Sequence, residues 1–329
     1  MAKPTPKIYA IPAAMNFAEE ICKGRAKWQV EKMSVTSFPC GETRVAINDS
    51  VRGQDIYLIG WGVGSPSGTV NEHMMQLLIV INALKLASAN MITVVLPNAP
   101  YSRQDRKDAS RQPITAKLVA DLLQAAGCQH LITMDLHAAQ IQGFYDFPVD
   151  NLYGSPTLID ALVGDMDKTT SIAVVSPDAG GHKRVEDMIA RMRKKGFQNI
   201  EMVYMHKVRD KLTGEVLRQQ TIGDPGGRHC ILVDDMGDTC GTLIRGASKL
   251  REVGVLSVVA AITHGVFSRD AIDKLCCDSC PIDATYVTDT CLVDVISPET
   301  KIKVVSVANV FADAILANHK NESVSHLFD

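Results

Sequence analysis

An α/β fold of mainly parallel sheets flanked by helices is the class this sequence predicts, on three observations. Short apolar runs rich in β-branched residues alternate with helical patterns along the chain, the mark of strand–helix–strand units whose crossovers make strands parallel. The chain has 329 residues, 46% of them hydrophobic, enough to bury two cores and form two domains. Polar, glycine-bearing motifs follow directly on several apolar runs, where parallel sheets collect their ligands.

Taken in order, Ile-Tyr-Leu-Ile-Gly predicts a strand over 56–60. Thr69-Val-Asn-Glu72 has capping-box spacing, so a helix starts there and passes near Asn90 into a strand over 91–96. That helix is apolar nearly all round, as expected of one lying in a core or against another subunit. Asn82, Lys85 and Asn90 interrupt the stretch, which leaves it short of a membrane span. Strands are predicted over 130–134, 172–176, 200–204, 230–233, 255–262, 284–288 and 303–307. Helical patterns over 114–126, 183–195 and 243–252 separate them, and a tail helix is predicted near 310–319. Asn, Gly and Pro between 150 and 157 break the pattern, which places a domain limit there and divides the chain into 1–152 and 153–307.

Composition narrows the function classes. A formal charge of −3 gives no global attraction to nucleic acid or anionic membrane, so neither is an expected partner. Residues 1–10 carry no apolar targeting core. Nine cysteines, an odd number without a regular framework, read as reduced thiols of a cytoplasmic protein. Cys276, Cys277 and Cys280 cluster, but no second Cys or His pair follows at zinc-finger spacing.

The most informative segment is His229-Cys-Ile-Leu-Val-Asp-Asp-Met-Gly-Asp-Thr-Cys-Gly-Thr242. An apolar run ends in two carboxylates, then a loop of small and hydroxyl residues leads into a helix. Unpaired N–H groups at a helix start, reinforced by the helix dipole, suit a phosphate. Gly241 allows close backbone approach, and Thr239 and Thr242 offer hydroxyls. Asp234 and Asp235 suit sugar hydroxyls or a hydrated magnesium ion. An ordinary turn whose acids cap the helix is the competing reading. Other phosphate signatures are weak: 60–66 lacks the third glycine of the dinucleotide fingerprint, and no Gly-x-x-x-x-Gly-Lys-Ser/Thr occurs.

The 229–242 segment resembles the phosphoribosyl pyrophosphate motif of the type I phosphoribosyltransferase fold. Arg103-Gln-Asp-Arg-Lys-Asp108, Met134-Asp-Leu-His137 and Ser176-Pro-Asp-Ala-Gly-Gly181 accompany it. Together they resemble the ribose-phosphate pyrophosphokinase family over nearly the whole chain. The resemblance implies two type I phosphoribosyltransferase-like domains, with 308–329 packing back on the first. It implies transfer of the diphosphoryl group of ATP to the 1-hydroxyl of ribose 5-phosphate, with Mg2+.

It also implies site residues. Asp234, Asp235, Asp238, Thr239, Cys240, Gly241 and Thr242 bind ribose 5-phosphate. Phe38, Cys40, Glu42, Arg103, Gln104, Asp108 and His137 bind ATP, with Asp105 in the same segment. His137 and Asp178 hold the metal; of the two, Asp178 is the better magnesium ligand, because Mg2+ favours oxygen. Lys207 and Arg209 stabilise the transition state from a mobile loop, and His137 assists them. In the phosphate-activated, ADP-inhibited class, inorganic phosphate and ADP compete for a regulatory anion site between subunits, here matched by Ser50, Arg52, Ser110, Arg111, Ser323, Ser325 and Phe328. A hexamer built from dimers is expected, with the Phe38 loop serving a neighbouring subunit. Cys40, His182 and Gly237 depart from the usual residues of this family. A nucleotide-binding regulatory subunit and a base phosphoribosyltransferase are the alternative readings.

Overall fold

The computed structural model describes residues 5–23, 25, 28–164, 166–209, 216–291 and 300–328, and the side chains at 179, 206–209 and 216–220 lie outside that description. The chain divides into two compact units, 1–153 with 307–329, and 154–306.

In the first unit the elements are β1 (Lys7–Ala10), α1 (Met15–Cys22), β2 (Met33–Ser37), β3 (Thr43–Ile47), β4 (Asp55–Ile59), α2 (Val70–Leu86), β5 (Met91–Leu96), α3 (Thr115–Ala126), β6 (His130–Met134) and β7 (Val149–Leu152). The sheet runs β1-β4-β5-β6-β7, parallel throughout. Ile56, Leu58, Val94, Val95, Leu131 and Ile132 are fully buried, so both faces are covered and the strands read as continuous apolar runs. β2 and β3 form a separate antiparallel hairpin.

α2 begins with both halves of the capping box: Thr69 N donates to Glu72 Oε2 at 2.6 Å and Glu72 N to Thr69 Oγ1 at 3.3 Å. Its burial corrects the expectation of a helix covered all round. His73, Met74, Leu77, Val80, Ile81 and Leu84 are buried, a 3.6-residue stripe, whereas Met75 is 54% and Leu86 77% exposed. Gly62, after β4, sits against the backbone of the β5 loop. A Cβ there would meet the carbonyl oxygen of Asn98 and, at 2.8 Å, its carbonyl carbon. Gly62→Ala should therefore destabilise this unit by about 3 kcal/mol, read as a lower urea midpoint; an unchanged midpoint would show that the loop yields.

The second unit comprises α4 (Ser155–Val163), β8 (Ile172–Ser176), α5 (His182–Lys194), β9 (Ile200–Arg209), β10 (Val216–Ile222), β11 (His229–Gly237), α6 (Gly241–Glu252), β12 (Ser257–Gly265), α7 (Ala271–Cys276), β13 (Ala284–Thr288) and β14 (Ile302–Val305). Its sheet runs β10-β9-β8-β11-β12-β13-β14, with β10 antiparallel to β9 and the rest parallel. Strand alternation divides two cores: Ala173, Val175 and Leu232 pack with Leu243, Ala247 and Leu250 of α6, whereas Val174, Ile231 and Val233 pack with Val185, Met188 and Met192 of α5.

Three strands run past their predicted ends because pairing carries them further, among them β12, which reaches Gly265 where 262 is predicted. β9 was expected to stop at 204, but pairing with β10 extends it to Arg209. β11 continues through both acids, where Asp234 pairs with Ile262 and Gly237 with Gly265. The break expected over 150–157 falls where the chain passes from the first unit to the second, between Tyr153 and Gly154; β7 ends just before it and α4 begins just after, with its proline in the first turn, where a missing N–H costs nothing.

The chain returns to the first unit as α8 (Ala308–Lys320). Phe311 meets Phe17 of α1 edge-on at 5.5 Å, Arg25 Nη2 lies 2.5 Å from Asp313 Oδ1, and Tyr57 Oη donates to Asn318 Oδ1 at 2.8 Å.

Candidate active site

In the second unit, β11 delivers Asp234 and Asp235, and the chain then turns through Asp238 and Thr239 into α6. Cys240 makes the turn in the left-handed region at φ 56° and has no side-chain cap bond to the helix. The first N–H groups of α6 therefore open toward the loop, an arrangement suited to an anion. The loop is held from behind: Phe267 N donates to Gly237 O at 2.9 Å and Ser268 N to Asp238 O at 3.0 Å. A buried network at the ends of β12 and β13 backs this support, with His264 Nδ1 2.8 Å from Thr290 Oγ1 and Thr288 Oγ1 donating to Thr263 O at 2.6 Å. Thr239 is exposed, Thr242 half-buried and Cys240 buried. Burial pushes the Cys240 thiol up to about 12, with Asp238 and Asp234 adding to it, so this residue acts through its backbone and not as a thiolate.

The neighbouring β8 ends in a second turn. Asp178 Oδ1 accepts from Gly180 N at 2.8 Å and Gly181 N at 3.3 Å, and Ser176 Oγ donates to Asp178 O at 2.5 Å. A Cβ at Gly181 would run into Ser176 Oγ, so any larger residue there requires Ser176 to turn away and give up its bond to Asp178 O. α5 follows and brings in Arg184, which lacked a role in the sequence reading. Its Nη2 lies 3.1 Å from Asp235 Oδ1 and its Nη1 3.9 Å from Asp234 Oδ1. The available signal was position alone: Arg184 follows the Gly-Gly turn by three residues, one helical turn into α5.

The two acids are unlike. Asp235 is 3% exposed and faces the guanidinium. Asp234 accepts from Asp235 N at 3.0 Å, and its carboxyl is held well above the ordinary range. Burial is the main cause, followed by repulsion from and hydrogen bonding to Asp235; Arg184 opposes the shift and Asp178 adds repulsion. An acid with a raised folded pKa binds more protons folded than unfolded. Its contribution to stability is therefore full below its ordinary value of 3.8 and declines as pH climbs toward the folded pKa. Asp234→Asn should flatten that decline, measured as urea unfolding free energy from about pH 4 to about pH 8; a decline as steep as the parent's would assign the effect elsewhere.

Lys207 and Arg209 lie on the backbone of β9, in register with Gln219 and Val216 of β10, and their side chains fall outside the described residues. The mobile loop that the resemblance implies extends into 210–215, which also lie outside the description.

In the first unit, Phe38, Cys40 and Glu42 form the tip of the β2–β3 hairpin. Phe38 N donates to Glu42 O at 2.8 Å and Gly41 N to Phe38 O at 2.8 Å. All three side chains are exposed, and Arg44 lies over the Phe38 ring at 5.8 Å. After β5, Arg103, Gln104 and Asp108 are exposed and Asp105 half-buried. Gln104 accepts from the Thr115 hydroxyl at the start of α3, which fixes this loop to a helix. Asp108 pairs with Arg106 at 2.8 Å. His137 is exposed just beyond β6, after Asp135 at φ 38° and a bond from Leu136 N to Asn151 Oδ1 at 3.1 Å.

Among the described residues no group of three or more His, Cys, Asp or Glu is placed to hold a metal. His137 belongs to the first unit and Asp178 to the second. The donor set suits a hydrated ion bound mainly through substrate phosphates, since Mg2+ retains waters and takes only one or two carboxylates.

The regulatory positions are dispersed. Arg52 Nη1 donates to Ser88 Oγ at 3.2 Å, Ser110 and Arg111 are exposed, and Phe328 meets Tyr153 edge-on at 5.3 Å. Ser323 and Ser325 line a pocket of about 570 Å³ with Tyr57, His130 and Asn318, but Asp55, Asp150 and Glu322 line it too, the wrong sign for phosphate. Ser50, Arg52, Ser110 and Arg111 are not among its lining residues.

Comparison with known proteins agrees with this arrangement. Residues 6–127 match a family model described as the N-terminal domain of ribose phosphate pyrophosphokinase, and residues 169–329 match a phosphoribosyl synthetase-associated domain. The phosphoribosylpyrophosphate synthetase from Mycobacterium smegmatis is 34% identical over 97% of this chain and 100% of its own, with a TM-score of 0.86. A hypoxanthine phosphoribosyltransferase from Trypanosoma cruzi complexed with IMP is 13% identical over 51% of this chain and 86% of its own, at a TM-score of 0.28, too distant to carry an argument. Among the described residues no helix is long and apolar enough to cross a membrane.

Proposed function

Because this chain belongs to the ribose-phosphate pyrophosphokinase family, we propose the residue roles by which it performs that family's reaction. The enzyme transfers the diphosphoryl group of ATP to the 1-hydroxyl of ribose 5-phosphate, giving 5-phosphoribosyl 1-pyrophosphate and AMP. The observation that carries the assignment of roles is the left-handed Cys240 turn, which presents the α6 N-terminus beyond two strand-borne acids. The 5-phosphate binds the N–H groups of 239–242 with the Thr239 and Thr242 hydroxyls. Asp234 and Asp235 accept from the ribose hydroxyls, and Asp238 borders the phosphate. The 178–181 turn receives the diphosphoryl group.

The Phe38 loop of a neighbouring subunit supplies the adenine contacts, Phe38 stacking on the ring with Cys40 and Glu42 at its edge. Arg103 pairs with phosphate oxygens, and Gln104, Asp108 and His137 complete the ATP contacts. Asp178 and His137 would hold Mg2+ together with the substrate phosphates, and the ion would supply neutralisation of charge on the transferring group. Lys207 and Arg209 meet the charge that builds in the transition state, and substrate positioning supplies the rest.

A cytoplasmic setting fits nine free thiols. Self-association, in this family's case into a hexamer built from dimers, is supported by apolar side chains left exposed on adjacent helices, Met75 and Leu86 on α2 and Leu118 and Leu122 on α3. Inorganic phosphate and ADP are the effectors this class implies.

The test is AMP formation from ATP, Mg2+ and ribose 5-phosphate by the purified protein, with inorganic phosphate and ADP varied. Turnover raised by phosphate and lowered by ADP is expected. ATP binding without turnover would favour a regulatory subunit, and turnover insensitive to both ions would remove the effector assignment.

A further inference from the structure

The connection between α7 and β13 carries the densest cluster of nucleophilic side chains outside the site: Cys276, Cys277 and Cys280. Cys277 is exposed, whereas Cys276 and Cys280 are partly buried against the core that holds Cys240 and α6. Cys280 N donates to Cys277 O at 3.1 Å, so the two cysteines are the first and fourth residues of a closed turn. Such a turn brings its end Cα atoms within about 7 Å, and a disulfide spans about 4.4 to 6.8 Å between Cα atoms. Lys301 Nζ fixes the turn from outside by donating to Cys277 O at 2.8 Å. Cys277 Sγ lies 3.3 Å from Lys274 O and 3.4 Å from Ser279 Oγ, at the protein surface and open to a small reagent.

We propose that Cys277 and Cys280 are a reversible dithiol–disulfide site, oxidised by a low-molecular-weight disulfide such as oxidised glutathione. The Cys277 thiolate attacks one glutathione sulfur and releases one glutathione thiolate. The Cys280 thiolate then attacks the Cys277 sulfur of the mixed disulfide and releases the second. The protein loses two electrons and its two thiol protons; the oxidant gains the electrons and becomes two glutathione thiols.

The order of attack follows from the surroundings. Burial pushes the Cys280 thiol up, with Lys301 acting against it, so the exposed Cys277 reacts first and Cys280 resolves. The pair follows a helix C-terminus, whose dipole does not favour a thiolate. Exchange at this site is therefore slow.

The experiment incubates the full-length protein with oxidised glutathione, blocks remaining thiols under denaturing conditions and maps peptides by mass spectrometry. The thiol titre should fall by two, from nine to seven, with a 277–280 cross-link that dithiothreitol reverses. Cys276→Ser should retain the cross-link. Cys277→Ser should abolish it, and Cys280→Ser should trap a glutathione adduct on Cys277. A cross-link through Cys276, an adduct on Cys277 that never resolves in the parent protein, or an unchanged titre would overturn the proposal.

Discussion

Replacing Lys207 by Ala is expected to lower kcat by roughly 10³-fold while ATP affinity changes only a few-fold, because a cation serving a charge that exists only in the transition state adds little to ground-state binding. β9 and β10 supply the physical basis. The backbone of the strand that carries Lys207 and Arg209 pairs with β10 as far as Arg209, which puts both residues on the same strand at the entry to the segment that follows. Single-turnover AMP formation together with equilibrium ATP binding separates the two effects. Comparable losses in both would make Lys207 a binding residue and reassign the transition-state charge.

The second large effect is expected at Arg184. Its guanidinium faces Asp235 at 3.1 Å, and only 5% of that acid's side chain is exposed. Arg184→Met leaves two carboxylates without their cation in a poorly hydrated place. Breaking a fully buried pair costs about 3–5 kcal/mol; with a quarter of the Arg184 side chain still in solvent, about 2 kcal/mol is expected here. Ribose 5-phosphate affinity should fall together with the thermal midpoint, since the acids that accept its hydroxyls lose their orientation. Adding Asp235→Asn removes the stranded charge, so the double variant should regain stability without regaining affinity. Additive losses of stability would show that Arg184 and Asp235 are not coupled.

Most of the parallel sheet was legible before the structure. The strands at 91–96, 130–134, 172–176 and 284–288 match their predicted limits, because each is an apolar run with polar flanks, buried from both sides. Two more exposed elements were missed for the complementary reason. β10, with Arg-Gln-Gln at its centre, is the edge of its sheet, and the β2–β3 hairpin is half exposed along its length, so neither carries a strong pattern. α4 was hidden by Gly154 and Pro156, which read as a break but begin a helix. The site divides in the same way. The loop from Asp234 to Thr242 and the Asp178 turn could be read because their chemistry is contiguous, but the Arg184 pair spans two elements far apart in sequence, and no local spacing announces it.

The return of α8 to the first unit has a consequence for biosynthesis. The second unit is an insertion within the first, so on the ribosome it is complete while its host still lacks the last segment. Until 308–320 are made, Phe17 and the apolar side of α1 have no cover from Phe311, Ala312 and Ile315, all fully buried in the finished protein. The nascent chain therefore carries a finished inner domain and an adhesive outer one at the same moment, a state prone to aggregation and to capture by chaperones. A stop codon or frameshift just before α8 would prolong that state indefinitely, so late truncations should be cleared by proteolysis even though every residue assigned to substrates has already been made.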